Sequence, residues 1–267
     1  MASCVISAVA QKGGVGKTTS LVGAALLTAE KRLKTCVIDL DEQGSASGAL
    51  YSDHHTLGDT GAASAYNLAK LDNPVEPFKV SENLYLLHAS LDLLQLDNDS
   101  LELYFKLRER IEVCLADFDI IYIDTPGTLK TRVVAALVAS QWFYSPIELA
   151  EYSIRSIDPL IKQFDTVRAH MNPKLQFAGM LPNKVHGVRT NLPIQLSERE
   201  IYLRLRDGLG GEEFILGMVA DRKYIREALS VGESLTGNAA EDARKARSEI
   251  EQFTNKLLEK AEVYKEV

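Results

Sequence analysis

The run Lys12-Gly13-Gly14-Val15-Gly16-Lys17-Thr18-Thr19 limits what this chain can fold into more than any other feature. It follows a short apolar stretch, Cys4 to Val9, and opens a longer helix-like one, Thr18 to Ala29. Glycines between a strand and a helix let successive backbone N–H groups turn inward, and the helix start adds its partial positive charge. Such a turn cradles phosphates. Gly13, Gly14, Val15, Gly16 and Thr19 would line the cradle, Lys17 would reach the β- and γ-phosphates, and the Thr18 hydroxyl would ligate Mg²⁺. A glycine turn with incidental lysines has no need of Gly-Lys-Thr at a helix start, so a bound nucleotide is expected.

The rest of the chain repeats the strand-then-helix theme. Thr35 to Leu40, Leu84 to Leu87, Ile120 to Ile123, Trp142 to Ser145, Phe177 to Leu181 and Phe214 to Val219 are apolar runs too short for helices and mostly unalternating. That is the pattern of strands covered on both faces. Between them lie amphipathic segments such as Leu101 to Leu115, Val133 to Ala139 and Ser153 to Ala169. The expectation is a single α/β domain over residues 1–267: a P-loop fold with a mostly parallel sheet of about seven strands and helices on both faces. Residues 48–80, with several glycines and prolines, are expected to form a surface insertion with short helices. Ala239 to Val263 is a charged helix with Ile250, Phe253, Leu257 and Leu258 on one face, which should pack on the domain.

Two further strands end in acids. In an open α/β sheet the ligand sits at the carboxyl ends of the strands, so carboxylates there point towards the phosphates. Val37-Ile38-Asp39-Leu40-Asp41-Glu42-Gln43-Gly44 supplies two of them. Phosphoryl transfer to water needs a group that orients the nucleophile and groups that hold the metal. Asp41 is assigned the water and Asp39 support of the magnesium shell. Ile120-Ile121-Tyr122-Ile123-Asp124-Thr125-Pro126-Gly127 is an apolar strand closing on an acid, and Asp124 would hold Mg²⁺ through a water. Thr125, Pro126 and Gly127 would sense the γ-phosphate.

Composition excludes other classes. Of 267 residues, 46% are hydrophobic and 25% charged, which excludes global disorder. No apolar stretch approaches the length of a membrane span. Cys4, Cys36 and Cys114 form no CxxC pair, so neither a disulfide framework nor a thiolate metal site is expected, and a cytoplasmic location fits. The net charge of −7 argues at first against a nucleic-acid partner. Its distribution qualifies that: residues 1–120 hold 10 basic and 17 acidic side chains, and the remainder is balanced.

The phosphate loop departs from the ordinary GxxxxGK[ST] pattern, since Gln11 stands at the first glycine position and Lys12 adds a second lysine. KGGxGK[ST] is the signature of the deviant Walker A ATPases. With Asp39-Leu40-Asp41-Glu42-Gln43-Gly44 and Asp124-Thr125-Pro126, the loop closely resembles the ParA/Soj-type partition ATPases, from about Val5 to Leu258. The resemblance implies an ATP-dependent homodimer in which Lys12 crosses to the partner's nucleotide. It also implies weak hydrolysis acting as a switch, and a role in plasmid or chromosome partition with a ParB-type centromere-binding partner. Glu42 stands where the family often has Pro, and Val219-Ala220-Asp221-Arg222 is a degraded version of its Ile-Pro-Arg stretch. Pro182-Asn183-Lys184 resembles the base-reading segment, which gives Asn183 the adenine edge.

The strand of the phosphate loop begins almost at once, so no helix-turn-helix is expected ahead of it. Non-specific double-stranded DNA is therefore the expected nucleic-acid partner, held by basic side chains on phosphates and placing the protein on the nucleoid. Arg189, Arg222, Lys223 and Arg226 are the candidates. The main alternative is a MinD-like membrane-cycling ATPase, which would end in a basic amphipathic helix. This C-terminus is interleaved with Glu241, Asp242, Glu249, Glu251, Glu259, Glu262 and Glu266, so no membrane is expected. A third alternative is an ATPase that transfers a group to a small molecule.

Overall fold

Successive residues of the central strands face opposite sides of the sheet, and both sides are apolar. Ile6, Val37, Ile120 and Tyr122 join one buried cluster, while their neighbours Val5, Cys36, Ile38, Ile121 and Ile123 join another. Such strands are stable only when helices cover both faces. The computed structural model describes residues 4–53, 62–70, 75–98, 102–128, 130–155, 157–189, 192–193, 195–222, 228 and 241–263.

The strands in chain order are β1 (Cys4–Ala8), β2 (Thr35–Asp39), β3 (Phe78–Lys79), β4 (Leu84–Leu87), β5 (Ile120–Asp124), β6 (Trp142–Glu148), β7 (Gln176–Val185), β8 (Val188–Arg189), β9 (Leu192–Pro193) and β10 (Val219–Ala220). Eight of them form one sheet in the order β10-β7-β6-β1-β5-β2-β4-β3, and β8 pairs with β9 in a separate hairpin. Every pairing in the large sheet is parallel except β3 with β4. The sheet therefore has one strand more than expected.

Helix α1 (Lys17–Glu30) and the last helix, α9 (Glu241–Lys260), cover one face; Leu21, Ile250, Phe253 and Leu257 are buried together there. The apolar face expected of the last helix is thus used against the domain. The other face carries α3 (Ala65–Lys70), α4 (Glu102–Cys114) and α5 (Thr131–Ala139), followed by α7 (Ile157–His170) and α8 (Leu196–Leu209). Two short helices, α2 (Ser45–Leu50) and α6 (Glu151–Ile154), sit beside the sheet's carboxyl edge, and a 3₁₀ helix spans Leu91–Asn98.

Three expectations are corrected. Residues 48–80 are not simply a surface insertion, because Ala65, Leu68 and Ala69 of α3 are buried in the core beside α4. Phe214 to Val219 is not a continuous strand. A 3₁₀ turn occupies Glu212–Phe214, Ile215 touches β7 by an isolated bridge to Met180, and Gly217 at φ 125° breaks the ladder before β10. Strand β6 runs past Ser145 to Glu148 despite Pro146. Its pairing with β1 stops at Tyr144, so the proline falls where that side of β6 has no partner strand.

Candidate functional site

Beyond the carboxyl ends of the central strands lies a cavity of about 940 Å³. The phosphate loop forms one wall, and segments 41–52, 126–128, 183–184 and 219–222 form the rest. Gly13, Gly14, Gly16, Lys17, Thr18, Thr19, Asp41 and Asn183 all line it, so sequence positions far apart converge on one space. Val15 is buried behind the loop.

Two glycines are required by close approach. Gly16 adopts φ 94° at the start of α1, and a Cβ there would run into the Asn183 amide. Asn183 Nδ2 donates to the Val15 carbonyl at 2.7 Å, so the base-reading candidate also braces the phosphate loop from beneath. Gly127 lies against the loop from the other side: a Cβ would meet the Gly13 backbone at 3.2 Å.

At the head of α1, Thr18 Oγ1 donates to Asp124 Oδ2 at 2.7 Å. Asp124 Oδ1 is buried with no hydrogen-bond partner among the described residues. Burial raises the Asp124 carboxyl, and the neighbouring Asp39 raises it further. Burial lowers the Lys17 ammonium, while Asp124 and Asp41 oppose that shift. A hydroxyl beside a buried carboxylate with a spare oxygen fits a hard divalent cation whose remaining ligands are phosphate and water. No cluster of three His, Cys, Asp or Glu side chains able to hold a metal exists among the described residues.

The three acids separate by role in the geometry. Asp41 lines the cavity, and burial raises its carboxyl. Asp39 and Asp124 stand opposite each other in the register of β2 and β5, fully buried behind the lining. Asp39 is committed to the following loop: its oxygens accept from the Ser47 amide (2.8 Å), the Ser47 hydroxyl (2.7 Å) and the Asp41 amide (3.2 Å). It neighbours Asp124 across the sheet and does not itself line the cavity.

Lys12 is arranged differently from Lys17. Lys17 is buried and lines the cavity, whereas Lys12 lies outside it. Its ammonium donates to Glu148 Oε2 at 3.0 Å and Tyr152 Oη at 2.9 Å, and stands 4.1 Å from the centre of the Tyr152 ring.

Two of the four DNA candidates are among the described residues. Arg222 lines the cavity and is held by Glu249 (2.7 Å) and Asp242, with its side chain only 16% exposed. It is therefore withdrawn from the set of free cations, because its charge is already neutralised within the chain. Arg189 pairs with Leu192 in the β8–β9 hairpin. Lys223 and Arg226 lie outside the described residues.

The AAA_31 family, described as an AAA domain, matches residues 3–177. Protein IncC of Escherichia coli is 32% identical over 267 residues, covering 95% of this chain and 68% of that protein. The chain belongs to the ParA family of P-loop partition ATPases. The chromosome-partitioning ATPase Soj of Thermus thermophilus is 28% identical over 232 residues, 86% of each chain. A plasmid partition protein of Borrelia burgdorferi B31, solved with AMPPNP bound, superimposes with a TM-score of 0.78 at 21% identity, covering 97% of this chain and 99% of that one, and shares its fold.

In this ParA-family chain, several residues that shape the site carry no motif. Glu148, which holds both Lys12 and Lys184, sits at a strand's carboxyl end, the signal that singled out Asp39 and Asp124. The proline two positions earlier hid the end of the strand. Tyr152 and Arg132 gave no signal, since both are set by contacts distant in sequence.

Proposed function

We propose that this chain is a Mg²⁺-dependent ATPase of weak turnover that works as a switch. It forms a face-to-face dimer on ATP, binds double-stranded DNA without sequence preference in that state, and releases it after hydrolysis stimulated by a ParB-type centromere-binding partner. The observation that carries the reading is the division between the two lysines. Lys17 is inside its own cavity and Lys12 is outside it, as expected if Lys12 serves a second copy.

Within one subunit, Lys17 and the phosphate-loop amides bind the β- and γ-phosphates. Thr18 and Asp124 hold Mg²⁺, with Asp39 supporting Asp124 from β2. The ion would neutralise charge on the phosphates. Asp41 orients the water that attacks the γ-phosphate, and Asn183 faces the adenine edge. Arg189, Lys223 and Arg226, gathered from two subunits, contact DNA phosphates. A membrane-cycling role finds less support, because Ile250, Phe253 and Leu257 of the last helix are spent on the core.

The test is a gel shift on random-sequence duplex with ATP, ADP or no nucleotide at stated salt, alongside light-scattering mass measurement. The wild-type chain should shift the duplex and double its mass with ATP alone, and Lys12→Ala should do neither. Dimers of unchanged affinity in Lys12→Ala would sink the mechanism. ATP-dependent sedimentation with anionic liposomes and no DNA shift would instead favour the membrane reading.

A further inference from the structure

Arg132, in the first turn of α5, is only 3% exposed and makes four hydrogen bonds to three partners. Its Nε and Nη2 donate to the two oxygens of Asp97, each at 2.9 Å, in a bidentate fork from the 3₁₀ helix. Its Nη1 donates to the Leu40 carbonyl at 2.8 Å and to Glu42 Oε2 at 2.7 Å. Leu40 and Glu42 flank Asp41. The Leu40 amide in turn donates to the Asp124 carbonyl at 3.0 Å. The backbone leading into Asp41 is thus fixed to the end of β5 on one side and to Arg132 on the other. Four residues before Arg132, Thr128 lines the same cavity as Asp41.

We propose that Arg132 is a positioning residue for ATP hydrolysis: by gripping the groups on either side of Asp41, it holds that carboxylate over the phosphate end of the cavity and locks the loop after β2 to the loop after β5. The proposal rests on the reading of Asp41 as the residue that orients water. It assigns Glu42 and Asp97 as the acids that hold Arg132 in place. A planar fork suits this task and an ammonium does not, because a single point charge cannot grip Asp97 with two parallel bonds while holding the Asp41 loop. Orientation of the nucleophile is sensitive to small shifts: a displacement of about 1 Å costs up to about 100-fold. Nucleotide binding is not, since the phosphate loop is braced separately by Asn183 and Gly127.

The test compares Glu42→Ala, Glu42→Gln, Arg132→Lys and Asp41→Ala in the full chain, measuring ATP turnover at saturating Mg²⁺, ATP affinity by fluorescence titration, and thermal melting. Glu42→Ala and Arg132→Lys should lower kcat by about tenfold, with ATP affinity within about twofold of wild type. Glu42→Gln, which keeps an acceptor for Nη1, should recover at least about half of the turnover. A purely structural role would lower melting temperature and affinity together and would not separate kcat from binding. Glu42 is at the edge of the cluster and leaves the Arg132–Asp97 fork intact, so Glu42→Ala keeps the test open where Arg132→Lys fails to fold. Should Glu42→Ala turn over at the wild-type rate while Asp41→Ala is more than about tenfold slower, the clamp is overturned and the reading of Asp41 stands. Should Asp41→Ala itself turn over normally, the reading of Asp41 falls, and the clamp with it.

Discussion

Lys12 Nζ lies 3.0 Å from Glu148 Oε2, so the lysine that distinguishes this phosphate loop is held by its own chain. The contact is half exposed and shared: Glu148 also accepts from Lys184 at 3.1 Å. Burial pushes the Glu148 carboxyl up, but hydrogen bonds from Lys12, Lys184 and Tyr152 outweigh that and hold it below its usual range. If Lys12 serves the partner's nucleotide, this contact competes with dimerisation. An exposed ion pair is worth about 0.2–1 kcal/mol, so Glu148→Gln should tighten the ATP-dependent dimer by about 1.4- to fivefold for each contact released, in sedimentation analysis. A weaker dimer would mean that Glu148 serves the interface itself.

Asp39 and Asp124 stand opposite each other at the ends of adjacent strands, both fully buried. Burial, then mutual repulsion, raises the Asp124 carboxyl above its unfolded value. A carboxyl raised in the folded state favours folding less as pH climbs past the unfolded pKa of about 3.9 and on towards the raised one. At neutral pH without nucleotide, Asp124 therefore destabilises the fold. Asp124→Asn keeps an acceptor for Thr18 and should raise the melting temperature by a few degrees, about 2–4 °C per kcal/mol at this size. ATP turnover should fall by more than about tenfold in the same variant. A lower melting point would show that the ionised pair stabilises the fold without a cation.

Where one residue type has one local job, the sequence was readable. The glycines and lysines of 12–19, the acids closing β2 and β5, and the buried face of α9 follow from spacing alone; the structure sets Gly13, Gly14, Gly16 and Lys17 around one cavity, with Asp39 and Asp124 buried behind its lining and Lys12 outside it. Glu42 shows the limit. Against the pattern of the resembled family it is only a departure from Pro, yet in the fold it is bonded to Arg132, 90 positions away. Arg222 reads as a surface cation by composition, and its neutralisation by Glu249 depends on how α9 folds back over the sheet. Helix α8 is hard to assign from sequence because its buried apolar positions, Ile201, Tyr202 and Leu205, are few among charges.

His186 Nδ1 lies 2.7 Å from Glu198, whose carboxylate also accepts from the His186 amide. The carboxylate raises the His186 imidazole above its usual range. A histidine raised in the folded state contributes stability that is fully present below the unfolded pKa of about 6.5 and is lost as pH rises through the folded value. The hairpin Val188–Pro193 follows directly, so its amide protection should decline over the same interval. NMR titration of the His186 ring should give a midpoint above about 6.5, and Glu198→Gln should bring it down towards that value. A midpoint unmoved by Glu198→Gln would place the contact outside the solution ensemble.

Phe253 joins the last helix to the sheet at the level of the phosphate loop. Its ring is fully buried, 5.0 Å from that of Tyr144, whose hydroxyl is 3.0 Å from Ser20 Oγ in the first turns of α1. Phe253→Ala leaves a cavity among rigid neighbours on both sides and should cost about 3–5 kcal/mol in denaturant unfolding. Gln252→Ala, exposed on the same helix, should cost no more than about 0.5 kcal/mol. Because Ser20 also bonds the Gly16 carbonyl at 2.8 Å, the loss of Phe253 loosens the ring that abuts the start of α1. ATP affinity of Phe253→Ala, measured well below its melting temperature, should therefore fall with the stability, whereas Gln252→Ala leaves both unchanged. A variant that lost stability but bound ATP as the wild type does would show that the phosphate loop is held from the Asn183 and Gly127 side alone.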